Sequence, residues 1–405
     1  MEIKSNFSLK DRTTFRMNGT TKYWIELSKE EDIIQALEFI KQKNLKYFIL
    51  GEGSNTVINE YWEGVILHPT TNQLQIQINN TRFSYTLPTQ QDYQEFYPIT
   101  RDENLINAIK QNKKNLSIEC IVDSGIHWDS FVYFLLVHEI PGLEVLSGIP
   151  GKIGSTPIQN VGAYGEEIKN FLIKVETFDL KTLKKKTFYN DECEFGYRKS
   201  FFKRHLNQYY IYKVHLRLNK AKKEIHYKEV KEYFNKLLKD TQKLKEIQKK
   251  IQNTLQGTIS KTLFHFLILR YCIYQIRRNK GMILEKNDEH SKNLGSFFIN
   301  PILTEEEFLK FKEKIDSDNS ELKIPFFKEN KHYKISAAWL LEFSGFPKGH
   351  YENGFLISPK HNLCIINIDG NLKNLKEFIK KIQKTVYKKT NILLEPEPIF
   401  IDEFI

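Results

Sequence analysis

The sequence predicts an α+β protein of two or three domains, and three observations carry that reading. Amphipathic helical periods and short β-rich runs alternate along the chain, with no repeat at the spacing of a solenoid or propeller. At 405 residues, 40% hydrophobic and 13% aromatic, the chain can bury more than one core. Five of its 19 glycines, at 148, 151, 154, 162 and 165, fall in one stretch, "SGIPGKIGSTPIQNVGAYGEEI" (147–168). Such clustering marks main chain that must bend sharply or let something approach closely.

Taken in order, residues 31–44 have the apolar period of a helix, and "LKYFILG" (45–51) is a short buried strand running into a glycine turn. "GVILHP" (64–69) is a second strand. From about 76 to 115 the chain is rich in Asn, Gln and Thr and reads as an insertion, ending in the helix-like "ENLINAIKQNKKN". "DSFVYFLLVHEI" (129–140) is a helix closed by Pro141 and Gly142. After the glycine stretch come the strands "IKVETFDL" and "YYIYKVHLRL". A charged helical stretch covers roughly 228–278 and contains "LFHFLILRYCIY" from Leu263. This run is too short to span a bilayer and holds His265 and Arg270, so a buried helix is expected. Beyond Gly281 a further mixture of helix and strand ends in "PIFIDEFI".

Composition excludes several classes. The polar, charged start is no secretory signal. The four cysteines (120, 193, 272, 364) form no Cys-x-x-Cys pair, which suits a reducing, cytoplasmic setting and gives no zinc site. The 11 histidines show no metal spacing, so no metal is expected. The net charge is +11, but residues 220–250 alone hold eleven lysines against five acids, a net of +6. There the signs mix at helical spacing around an apolar stripe of Leu244, Ile247, Ile251, Leu255, Ile259 and Leu263. That reads first as a solvated face of an amphipathic helical pair, with a surface for RNA or another anionic partner as the alternative. Neither a nucleic-acid partner nor a membrane is expected, and a monomer is.

Two glycine loops are candidates for chemistry. "LGEGSNTVI" (50–58) places Gly51, Gly53, Ser54 and Asn55 at a strand end, where successive N–H groups can face a phosphate. It lacks the third glycine of the dinucleotide fingerprint and the lysine of the nucleotidase phosphate loop, and a plain tight turn explains it equally well. In the second loop Gly148, Ile149, Pro150, Gly151 and Gly154 form a sharply bent path. Gln159, Asn160, Gly162, Ala163, Tyr164 and Gly165 then supply small or amide positions. Bare backbone with amide donors suits a planar cofactor or a pyrophosphate, and packing alone is the competing reading.

"LGEGSN", the glycine stretch, "CEFGYRKSFFK" (193–203), "GSFFINP" (295–301) and "LLEPEP" (393–398) together resemble the ordered motifs of the UDP-N-acetylenolpyruvoylglucosamine reductase family, in its longer form with an extra substrate loop. "NFSLKDRTTF" and "PGLE" (141–144) fit as well. The resemblance implies an oxidoreductase of peptidoglycan synthesis, NADPH-dependent, with non-covalent FAD on the two glycine loops. It implies a two-part flavin domain of the vanillyl-alcohol-oxidase type, in residues 1–70 and 71–281, with the last strand, 398–405, returning to the first part. The stretches near 76–115 and 230–275 are taken as insertions, and 282–397 as the substrate domain. The substrate would be UDP-N-acetylglucosamine enolpyruvate and the product UDP-N-acetylmuramate.

Within that reading, Arg198 stabilises the enolate that develops on the substrate, Ser296 protonates the carbanion-like carbon, and Glu397 helps to hold the enolic intermediate. A serine hydroxyl is acid enough for so strong a base; the plain alternative is that Ser296 caps a helix. Glu395 is expected to matter less than Glu397. Tyr197, Tyr227, Lys280 and Asn300 fall on substrate-binding positions, with Lys280 also at the NADPH phosphates, and Arg277 matches a recurring arginine without an assigned role. The chain departs from the pattern at Phe326, where a mobile-loop tyrosine is usual, at Pro398 and at Ile299. Two other readings are an FAD-dependent alcohol oxidase and a non-catalytic binding protein that uses the basic helices.

Overall fold

The computed structural model describes residues 1–90, 94–111, 117–219, 225–256, 258–285, 288–318 and 324–401. The chain divides into two compact units. Met1–Lys4, Tyr23–Glu52 and Gly64–Arg278 form the first; Ser5–Lys22, Gly53–Glu63 and Asn279–Ile405 form the second.

The first unit is built on a six-stranded antiparallel sheet in the order Lys184–Tyr189, Leu172–Asp179, Tyr209–Asn219, Ser117–Asp123, Gln73–Ile78, Thr81–Thr86. The last two strands come from the polar region read as an insertion. "QLQIQI" alternates with period two, so Leu74, Ile76 and Ile78 are buried while the intervening glutamines stay partly exposed. Asn79, at a left-handed φ of 52°, turns the hairpin. Against this sheet packs the helix Trp128–Val137, buried on every side, and the apolar residues Leu105 and Ile109 of helix Glu103–Gln111. A helix apolar all round belongs in a core.

The charged stretch is three helices: Lys228–Lys239, Thr241–Leu255 and Lys261–Asn279. Asp240 caps the second by accepting the Lys243 N–H at 2.9 Å, and Gln256, at φ 50°, ends it. Ile247, Ile251 and Leu263 are buried in the core shared with the sheet, with Leu244, Leu255 and Ile259 packed at its margin. The lysines stay outside. The stripe is therefore real but is carried by two helices, because Gln256 breaks the α-path between them.

Helix Glu30–Gln42 covers a second core with Ile33, Ala36, Leu37 and Ile40, against Ile25, Leu27, Val65 and Leu67. Its strands belong to a four-stranded sheet in the order Ile3–Ser8, Thr20–Leu27, Tyr61–Pro69, Lys46–Ile49. The last two run parallel, with Lys46 opposite Gly64.

In the second unit a four-stranded sheet orders Asn293–Ser296, Cys364–Asn367, Phe355–Ile357 and Tyr351–Glu352, and a three-stranded one orders Ile302–Thr304, His332–Ile335 and Phe326–Glu329. Helices Glu305–Asp318, Ala337–Phe343 and Leu372–Thr390 complete it. Ile399–Phe400 pairs in parallel with Thr56–Val57, so the chain end joins a strand from the first seventy residues; residues 402–405 of the expected last strand lie outside the described residues. Among the described residues no helix is long and apolar enough to cross a membrane, and no three His, Cys, Asp or Glu side chains group to hold a metal. All four cysteines are free and buried.

Candidate functional site

In the first unit the glycine stretch is tied down at both ends. Gly148 (φ 70°) donates its N–H to Asp129 Oδ1 at 2.5 Å, and its carbonyl accepts from Arg277 Nε at 3.0 Å. Gly151 donates its N–H to Glu52 Oε2 at 2.6 Å, and its carbonyl accepts the Trp128 N–H at 2.9 Å. Ile149 and Pro150 form the bridge between these two anchors. Lys152 is buried, its ammonium donating to the carbonyls of Pro69, Thr89 and Gly125 at 2.8, 3.1 and 3.2 Å. Further along, a Cβ on Gly154 would stand 2.7 Å from Ser124 Cβ, and one on Gly162 only 2.5 Å from the Glu166 carbonyl. Packing alone thus demands glycine at these two positions. Gly165 differs: it is exposed, with nothing within 4 Å of its Cβ position.

Around that stretch the structure gathers several residues named from the sequence. Arg198 sits in a tight 196–199 turn at φ 55° and donates from Nη2 to the Gly162 carbonyl at 3.0 Å, with the Tyr197 ring 5.7 Å from its guanidinium carbon. A left-handed non-glycine residue is uncommon and marks a side chain held in place by its surroundings. Asn160 is buried, its amide donating to Glu167 and the Gly196 carbonyl at 2.8 and 3.1 Å, so it locks the stretch internally. Half-buried Gln159 precedes it, and half-buried Ala163 lies three residues further on. Tyr164 meets Tyr227 edge to face at 5.3 Å. Burial raises the Tyr164 hydroxyl pKa, against the opposing charge and hydrogen bond of Arg277. Arg277 therefore bridges both ends of the glycine stretch.

The second unit brings the remaining motifs into one ring of bonds. The Gly53 carbonyl accepts the Thr14 N–H at 3.3 Å, and the Thr14 hydroxyl donates to the Asn293 carbonyl at 2.7 Å. Asn293 Oδ1 accepts the Gly295 N–H at 2.8 Å, one residue before Ser296. Phe298 bridges Pro396 in antiparallel fashion, and the Glu397 N–H donates to the Phe297 carbonyl at 2.8 Å. The Glu397 carbonyl accepts from Asn55 Nδ2 at 3.2 Å, and the Asn55 carbonyl takes the Ile399 N–H at 3.0 Å. Ser54 stands between Gly53 and Asn55, half-buried. Ser296 and Glu397 are thus neighbours by main-chain register, and the Asn55 turn is fastened to them.

Ser296 ends a β-strand and is no helix cap. Glu397 is half-buried and Glu395 is exposed. Asn300 accepts the Ala337 N–H at 2.9 Å through its side chain, joining "FFINP" to the helix of "SAAW". Lys280 is half-buried in the same unit. Phe326 lies in a strand, its ring 4.9 Å from that of Phe308 and 5.7 Å from that of Tyr333. Residues missed in the sequence are Thr14, Glu52, Asp129, Arg270 and Asn293. Glu52 was legible, standing between two glycines of a candidate loop. The others gain meaning only through partners far along the chain.

Residues 286–401 match the C-terminal domain of UDP-N-acetylenolpyruvoylglucosamine reductase. The chain is 32% identical to that reductase from Buchnera aphidicola subsp. Schizaphis graminum over 407 residues, covering 98% of this chain and 96% of the other. It is 30% identical to the reductase of Flavobacterium johnsoniae over 400 residues (98% and 99%) and 29% identical to that of Thermobifida fusca over 402 (98% and 97%). The crystal structure of the reductase from Thermus caldophilus has a similar fold, with a TM-score of 0.55 at 18% identity over 98% of both chains. Identity of this order over nearly the whole of both chains, on a chain whose motifs are bonded to one another as described, places it in the UDP-N-acetylenolpyruvoylglucosamine reductase family.

Proposed function

We propose that the chain is a flavin-dependent reductase that converts UDP-N-acetylglucosamine enolpyruvate to UDP-N-acetylmuramate at the expense of NADPH. The observation that carries this reading is the Phe298–Pro396 bridge with the Glu397 N–H bonded to the Phe297 carbonyl, which brings the main chain of "GSFF" against that of "EPEP". An enolpyruvyl reductase needs a proton donor and a carboxylate together, whereas an alcohol oxidase or a binding protein makes no such demand.

The residues present fit a flavin dinucleotide. Neither Gly51 nor Gly53 donates its N–H to an acceptor among the described residues, which leaves two main-chain donors for a pyrophosphate. At Gly165 nothing among the described residues lies within 4 Å of the Cβ position, so bare main chain is open to an approaching ring. By contrast the N–H groups of Gly148 and Gly151 are already bonded to carboxylates, and the 148–151 bend acts as a shaped wall. We assign the flavin to residues 1–281 and the substrate to 282–397, with Tyr197 and Tyr227 also reaching substrate.

A bound flavin would supply the hydride chemistry, passing on to the terminal alkene carbon of the substrate the hydride drawn from NADPH. Arg198 carries a permanent positive charge to offset the negative charge that spreads into the substrate carboxylate. The Ser296 hydroxyl gives its proton to the adjacent carbon, completing addition of hydride and proton across the double bond, and is reprotonated from water. Glu397 steadies the enolic form, and Lys280 with Asn300 holds the diphosphate. A purified yellow protein, bleached by NADPH and restored to yellow by the enolpyruvyl substrate with one product formed per flavin, is the expected result. A colourless protein that takes up no FAD refutes the reading.

A further inference from the structure

Helix Lys261–Asn279 carries a fully buried arginine, Arg270, in a core that could have been filled by a leucine. Burying a guanidinium is costly unless its donors find partners, and here each of the three nitrogens has at least one. Nη1 and Nη2 reach the two oxygens of Asp129 at 2.7 Å each, in the fork geometry that suits a carboxylate. Nε donates to the Glu95 carbonyl at 2.7 Å, and Nη2 also reaches the Tyr274 hydroxyl at 3.0 Å and the Gln94 carbonyl at 3.3 Å. The rings of Tyr133 and Tyr274 lie 4.7 and 4.6 Å from the guanidinium carbon. Tyr274 donates its hydroxyl to Asp129 Oδ2.

Asp129 is buried to the same degree. Burial alone would raise its pKa, but the charge and hydrogen bonds of Arg270 hold it well below the usual carboxylate range. A further bond shows a use for this ionised carboxylate: Oδ1 accepts the N–H of Gly148, the first glycine of the stretch. Seven residues beyond Arg270 on the same helix, Arg277 takes the carbonyl of that glycine. One helix therefore grips both polar groups of Gly148, one of them through Asp129. Glu52 does the matching service at Gly151.

We propose that Asp129, Arg270 and Tyr274 are positioning residues for the cofactor, which set the path of the Ile149–Pro150 bridge through the N–H of Gly148. The proposal rests on the flavin reading above. It assigns a role to a helix that the sequence alone marks only as a long buried segment. It also explains why ionic groups persist in an apolar core. A hydrophobic pair of similar size would serve stability as well, but it would leave the Gly148 N–H without an acceptor and the bend without a fixed direction.

The test separates positioning from packing. The double variant Asp129→Leu/Arg270→Met removes both charges together, so the fold is expected to survive, with a denaturation midpoint lowered by no more than the cost of one unpaired N–H. Its affinity for FAD, measured by quenching of flavin fluorescence as FAD is added to the apoprotein, is expected to fall by at least about tenfold, the scale of one buried donor left unpaired. The visible band of bound flavin should shift with it. Unchanged FAD affinity in a folded double variant overturns the proposal. Should the double variant not fold, Tyr274→Phe, which deletes one donor to Asp129, carries the test with an expected loss of about threefold. An unchanged affinity there overturns the proposal equally. If the parent protein itself binds no FAD, it is the flavin reading that fails.

Discussion

Gly53→Ala is the sharpest probe of the ring that joins Ser296 to Glu397. The residue has a φ of 64°, and a Cβ placed on it would stand 2.6 Å from the Arg12 carbonyl and 2.7 Å from both Cα and Cγ2 of Thr13. Two of these three atoms are main chain, so a rotamer change cannot relieve the clash. The left-handed conformation costs an alanine about 1–2 kcal/mol, and forcing apart a packed contact adds about 1–3 kcal/mol. The expected loss is thus about 2–5 kcal/mol, a fall of roughly 1 M in urea midpoint at a slope of ~3 kcal/mol/M. Gly165→Ala is the control. Its φ of 89° brings similar strain, but the Cβ would enter open space, so the loss should stay near ~1 kcal/mol. The displacement at Gly53 also acts on function, because its carbonyl holds Thr14 and Thr14 holds Asn293. Substrate reduction should therefore decline in Gly53→Ala even where the protein is folded. Urea unfolding followed by tryptophan fluorescence decides the matter. A Gly53→Ala midpoint equal to that of the parent, or the same loss in both variants, would refute the argument from close approach.

Other consequences are as direct. Ser296→Ala should leave reduction of the flavin by NADPH nearly intact and slow substrate reduction by at least the ~10²-fold typical of a lost general acid; stopped-flow measurement of the two half-reactions checks this, and equal slowing of both contradicts it. Glu397→Gln should show the same selectivity, and Glu395→Gln, altering an exposed side chain, should be mild; the reverse order in single-turnover assays would assign the role to Glu395 instead. His138 is buried, with Nδ1 facing the Phe134 carbonyl at 2.7 Å and Nε2 accepting the Asp102 N–H at 2.9 Å, so the neutral ring is the one that fits. Burial lowers its pKa below the unfolded value of 6.5. The unfolded chain then binds the proton first, and the stability that His138 contributes is complete above about pH 6.5 and is lost as pH falls through the lower folded value. His138→Gln should flatten that slope in unfolding measured between pH 5 and 7.

Local signals were enough to read the α+β class, the helices placed at 31–44 and 129–140, the strands "IKVETFDL" and "YYIYKVHLRL", and the motifs that name the family. Each of these depends on periodicity, on turn residues or on a run of neighbours, all of which are properties of short segments. The hairpin of "QLQIQI" was missed, because its glutamines made an alternating strand look like the start of a polar insertion. The three-helix division of 228–278 was missed although Gly257 follows Gln256 in the sequence, because the apolar stripe carries on past the left-handed Gln256 that ends the helix.

What the linear chain could not reveal is which polar groups meet. Arg270 is 141 positions from Asp129, and in sequence it looks like a charge that spoils an apolar helix. Thr14 and Asn293 lie 279 apart and look like ordinary polar residues. The glycines were visible, yet their reasons were not: Gly154 and Gly162 yield to neighbouring chain, while Gly165 faces open space. Hydrogen bonds and close approach are short-ranged in space and indifferent to sequence separation. Composition and pattern therefore determined the elements and the family, and only the folded chain decided which carboxylate holds which glycine.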